Sequence, residues 1–118
     1  MCNFGVVRGG ALCYSSFMRI IKELYLRNFG VSHADAASAL AQWMRDCRAA
    51  TWRSVADVKA YARSADYVGN QRWVFNIGGN KYRLVVAICF RTGFVLVKFI
   101  GTHADYDRVD VRTVEVEE

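Results

Sequence analysis

Proline is absent from this 118-residue chain, so glycine and asparagine must make its turns. No apolar run approaches the roughly 20 residues that a membrane-spanning helix requires. The opening MCNFGVVRGGALCYSSF carries its only early charge at Arg8 and lacks a basic start followed by a continuous apolar block. It does not read as a secretion signal, and a cytoplasmic protein is expected. The four cysteines, Cys2, Cys13, Cys47 and Cys89, match no metal-site spacing and are expected as free thiols, the last two as small core hydrophobes. No metal or cofactor is called for. Gly78-Gly79 joins two strand-like runs and precedes no helix, so it is not a phosphate-cradling loop.

What the chain does have is a strand-rich stretch, RWVFNIGGNKYRLVVAICFRTGFVLVKFIGTHADYD, from Arg72 to Asp107. Trp73–Ile77, Lys81–Phe90 and Phe94–Ile100 are rich in β-branched and aromatic residues. Gly78-Gly79-Asn80 and Arg91-Thr92-Gly93 supply the turn chemistry between them, which predicts a three-stranded meander. In the middle strand, alternation puts Tyr82, Leu84, Val86, Ile88 and Phe90 on one face, the expected helix-packed side. Lys81, Arg83, Val85, Ala87 and Cys89 fall on the other, expected to be open near the turn.

Upstream, Arg19–Lys22 reads as a short strand and Glu23–Phe29 as a helix closed by Gly30. Ser32 and Asp35 suggest a capping box ahead of a longer helix. Ala36, Leu40, Trp43, Met44 and Cys47 share one face of it, which is a core stripe. Ser54 and Asp57 repeat the cap signature ahead of a third helix over Val55–Arg63. Ser64, Ala65 and Asp66 then open a loop to Gly69-Asn70. This order predicts an α+β domain with helices on one side of a mainly antiparallel sheet. Its span is 18–112, between a poorly specified extension at 1–17 and an acidic tail at 113–118.

The net charge is +5, unevenly spread. Residues 18–104 carry thirteen Lys or Arg against five acids, a balance of +8, whereas the chain from Asp105 onward balances to −4. A basic body suits a polyanionic partner, although an ordinary basic surface gives the same count. Metal-free RNA cleavage needs a base for the 2′-OH, an acid for the leaving oxygen and fixed cations for the phosphate. His103 can serve either proton role near neutral pH, and Arg83 can clamp two phosphate oxygens. Lys81, on the same face, adds charge, and Tyr106 could donate a proton, stack on a base or only pack. Arg72, Asn76, Asn80 and Lys98 are candidate RNA contacts, though turn geometry also explains Asn80. The plainer alternatives are a surface or capping histidine and solvated strand-edge cations. His33, at a helix start, is unrelated to the site.

FNIGGNKYRLVV followed by FIGTHADYD resembles the HigB family, a branch of the RelE-like toxins of type II toxin–antitoxin pairs. TWRSVADVKAYARSADYVGNQRWVFNI resembles the same family's middle and MRIIKEL its beginning, so the likeness covers about residues 18–110. The resemblance implies a RelE-like fold and a metal-independent endoribonuclease that cuts mRNA on the ribosome and stops growth. It also implies a HigA-type helix-turn-helix antitoxin, with operator DNA bound only through their complex. Two alternatives stay open: a relative that poisons DNA gyrase, and a nucleic-acid-binding regulator without catalysis.

Overall fold

A computed structural model of the chain describes residues 17–116. The expected extension therefore lies, apart from Phe17, outside the described residues, as does the end of the acidic tail. The elements run β1 (Arg19–Ile21), α1 (Glu23–Ser32), α2 (Ala34–Arg48), α3 (Val55–Tyr61), β2 (Asp66–Gly69), β3 (Arg72–Ile77), β4 (Tyr82–Cys89), β5 (Phe94–Thr102) and α4 (His103–Asp107). The sheet order is β1-β5-β4-β3-β2, antiparallel except for the parallel β1–β5 pair. The α+β class and the meander are as the sequence predicts. No helix among the described residues is long and apolar enough to cross a membrane.

The turns follow from their residues. Gly78, Gly79 and Asn80 all have positive φ, a conformation that a β-branched residue would resist. The expected face of β4 is buried: Tyr82, Leu84, Val86 and Ile88 join one core with Trp43, Trp73 and Phe75. The α2 stripe from Ala36 to Cys47 is buried too, and Trp43 meets Phe75 edge-on at 5.5 Å between centroids. Burial pushes the Cys47 thiol up to about 12, so it is an inert core group. Cys89 is disulfide-bonded, which corrects the expectation of a free thiol there.

Four local expectations are corrected. Gly30 does not end α1, which continues to Ser32. Its missing side chain instead lets α1 approach α2, since a Cβ there would lie 3.2 Å from that of Ala37. Ser32 is therefore inside α1, and His33 stands at the head of α2, with no side-chain cap. The His33 ring stacks on Phe29 at 3.9 Å. Released from capping, Asp35 accepts hydrogen bonds from Tyr82 Oη at 2.7 Å and Lys81 Nζ at 3.2 Å. The Tyr82 bond, with Lys81, holds its carboxyl below the usual range. The third helix does start at Ser54, whose hydroxyl accepts from Asp57 N, but stops at Tyr61. The supposed loop at Asp66 is a strand, β2, too short at four residues to show alternation.

The second sheet face is less open than expected. Val74, Val85, Ala87 and Cys89 are buried. The acidic C-terminal segment turns back over it, with Arg72 donating to the carbonyls of Val111 (3.1 Å) and Val114 (2.6 Å). Glu115 then bridges Arg72 at 2.9 Å and Lys98 at 2.7 Å. A bulge in β5 presents Lys98: Phe99 opposes Val85 but Val97 opposes Val86, leaving Lys98 as the extra residue. That shift lets Val95, Val97 and Ile100 all reach the core, which strict alternation forbids.

Burial opposes the charge of Glu115, but the hydrogen bonds and charges of Lys98 and Arg72 outweigh it and hold the carboxyl below its ordinary range. A carboxyl depressed in the fold adds stability above its unfolded pKa and loses it as pH falls through the folded value. Glu115→Gln is therefore expected to cost about 1–3 kcal/mol near neutral pH, less than a fully buried pair because the carboxylate is half exposed. The gap should close only in acid, as pH falls through that lowered folded value and the wild-type group becomes neutral too. Urea titrations near neutral pH and in acid measure it, and a gap unchanged by acid would mean the charge does not hold the segment.

Candidate active site

The site grows from a single row across the sheet. Asn76 of β3 and Gly101 of β5 lie directly opposite Arg83 of β4 on either side. Alternation sends the Arg83 side chain away from α1, α2 and α3, at the end of the face that the C-terminal segment leaves uncovered. Arg83 and Asn76 are half-buried there, as are His103 and Tyr106.

Arg83 Nε donates to His103 Nε2 at 3.2 Å. Guanidinium is always a donor, so Nε2 accepts here and the imidazole proton of the neutral ring sits on Nδ1. The Arg83 Cζ also lies 5.1 Å from the centroid of the Tyr106 ring, a cation–π contact. Phe99 backs Tyr106 at 6.5 Å. The result is a cation fixed between an imidazole and a phenol ring, with its remaining N–H donors available for an anion.

Helix α4 sets this geometry. The Thr102 hydroxyl accepts from Asp105 N at 3.1 Å, and the Asp105 carboxylate accepts from Thr102 N at 3.3 Å, a reciprocal capping box. His103 is thus the first residue of a pinned helix. Gly101 allows the turn back over the sheet, because a Cβ there would meet Phe99 Cζ at 2.7 Å and Asp105 Cβ at 3.0 Å. Thr102-His-Ala-Asp105 carries the capping signature in the sequence, and reading it would have found α4.

The HigB toxin family, described as the RelE-like toxic component of a toxin–antitoxin system, matches residues 36–109. The chain belongs to this family. No curated protein matches the sequence. The matched span starts in α2 and holds β2 to β5 and α4, so it includes Asn76, Arg83, His103 and Tyr106. It stops short of Glu115. Membership makes the chain a RelE-like toxin and implies an antitoxin as its partner.

The other residues singled out in this HigB-family chain lie apart from the row. Lys81 does not join Arg83; it precedes β4 and is drawn to Asp35 at the start of α2, an exposed pair of little energetic weight. Arg72 and Lys98, expected as RNA contacts, are only 4% and 9% exposed and are spent on the C-terminal segment. Glu115, distant in sequence, is what sequence reading missed. Asn80 is exposed at the hairpin tip with φ 80°, where turn geometry accounts for it. Asn76 alone among the four lies beside Arg83.

The Arg83–His103 bond has a direct spectroscopic consequence. Nitrogen-15 spectra of the free protein at about pH 8 should show neutral His103 as the Nδ1–H tautomer, because Nε2 is the acceptor. A dominant Nε2–H tautomer would mean that Arg83 does not hold this imidazole in solution.

Proposed function

We propose that this toxin is a metal-independent endoribonuclease that cuts mRNA in the cytoplasm, on translating ribosomes, and so arrests growth. The observation that carries this reading is the 3.2 Å Arg83–His103 hydrogen bond on the half-open sheet face. In the free protein Arg83 occupies the Nε2 lone pair. A phosphate entering the site offers the guanidinium a better, charged acceptor. As Arg83 turns its fork to that phosphate, Nε2 is released within one hydrogen-bond length of it. His103 can then take the proton of the 2′-OH as that oxygen bonds to phosphorus and the bond to the 5′-oxygen breaks, the departing oxygen taking a proton from water. DNA lacks this nucleophile, which restricts the chemistry to RNA. Tyr106, stacked under Arg83, keeps the guanidinium over the site, and Asn76 lies where a base or sugar edge would pass. The antitoxin in this reading is of the HigA helix-turn-helix type, and operator DNA is bound through the complex alone.

Two substitutions test the assignment. His103→Ala should relieve growth arrest while the protein stays folded and still binds its antitoxin. Arg83→Lys keeps the charge and loses the fork; cleavage should fall by about 10²–10³-fold, with a much smaller change in RNA affinity and its salt dependence. Both are read on one RNA with ribosomes present. Full toxicity of His103→Ala would favour a non-catalytic toxin, such as a gyrase poison. Equal losses of rate and affinity in Arg83→Lys would make Arg83 a binding residue only.

A further inference from the structure

Strand β2 covers only the first half of β3. Its pairs end with Asp66 opposite Val74, so Phe75, Asn76 and Ile77 have no strand on that side among the described residues. Beside this bare edge runs a groove of about 290 Å³, walled by Ala39 and Trp43 of α2 and by Tyr61 and Ala62 at the end of α3. Its floor is the β3 edge from Phe75 to Gly78. An edge of this kind offers a row of backbone donors and acceptors, and apolar walls beside it suit alternate side chains of an added strand.

The rim has a sign. Lys59 Nζ donates to the carbonyls of Arg63 (2.9 Å) and Ala65 (2.7 Å), which places its ammonium on the segment that bounds the groove. Arg45 donates to Gln42, a residue of the groove wall, at 2.8 Å. Among the described residues, Lys59, Arg63 and Arg45 have no carboxylate within ion-pair distance. One acid stands near them: Asp46 accepts from Gln42 and Tyr61, neutral donors that leave its negative charge in place. The rim therefore carries three cations against one carboxylate, an excess of positive charge.

We infer that this groove receives an extended, acidic segment of the antitoxin, which pairs with β3 as a sixth strand. The inference rests on the reading of the chain as a toxin with an antitoxin partner. Strands lie about 4.8 Å apart, so the added strand sits two positions, about 10 Å, from β4. Its residue opposite Asn76 shares the face of Arg83. An acidic side chain there would draw on the same guanidinium as the RNA phosphate, which would let a segment docked at the edge inhibit the site without filling it.

The test uses the full-length toxin purified with its cognate antitoxin. Hydrogen exchange should slow at least tenfold at those amides of Phe75–Ile77 that point away from β4, while the Gly93 turn is unchanged. Ala39→Arg and Ala62→Arg fill the groove from its two walls. Each variant that melts within a few degrees of wild type should bind the antitoxin at least tenfold more weakly and still arrest growth. Wild-type affinity in a folded variant, or protection confined to other surfaces, would overturn the proposal. Protection of the same amides by an RNA oligonucleotide alone would assign the edge to RNA. A toxin dimer dissolved by both variants would assign it to a second copy of this chain. A wild-type chain that fails to arrest growth counts against the toxin reading, whereas antitoxin-induced protection at the edge would still support the docking.

Discussion

From Leu84 to Cys89 the central strand is buried on both of its faces, and most of the architecture answers to that constraint. A strand buried on two sides needs apolar side chains in both phases, and β4 supplies Leu84, Val86 and Ile88 to one layer and Val85, Ala87 and Cys89 to the other. The helices cover the first layer. The chain beyond Asp107 reaches the second, and the cations in its way must either be paired or be left outside. Arg72 and Lys98 are paired with the single carboxylate of Glu115. Arg83, one residue before the doubly buried run, is left outside, and the site forms around it.

That division explains what could be read in advance. The face of β4 that packs on the helices was legible because Tyr82, Leu84, Val86 and Ile88 repeat with period two, and the α2 stripe because its spacing is helical. The joint placement of Arg83 and His103 followed from the same alternation plus a strand end. The fates of Arg72 and Lys98 were hidden, since both depend on a carboxylate 43 and 17 residues away. Lys98 was further obscured by the bulge, which breaks the period at that residue. β2 has only four residues and no apolar alternation, so nothing local distinguished it from a loop.

The two glycines that matter most, Gly30 and Gly101, act by what they omit. Each permits a close approach between elements: α1 to α2 in one case, α4 to the sheet in the other. Sequence reading treats glycine first as a source of positive φ, and neither residue uses that freedom. For the site, the second approach is decisive. His103 meets Arg83 because α4 folds back immediately after β5, and a side chain at Gly101 would wedge the helix away.

The parallel pairing of β1 with β5 joins Arg19 to Phe94 and Ile20 to Val95, and Glu115 lies later still. During synthesis α1, α2 and α3 are therefore made well before β5, the strand that gives β1 a partner, and the carboxylate shared by Arg72 and Lys98 follows every strand. Until it emerges, Arg72 and Lys98 lack the carboxylate that they share in the fold. A growing polypeptide of this kind would be more basic and stickier toward nucleic acid than the finished one. Its surface acquires its mature charge pattern only when the last stretch swings into place.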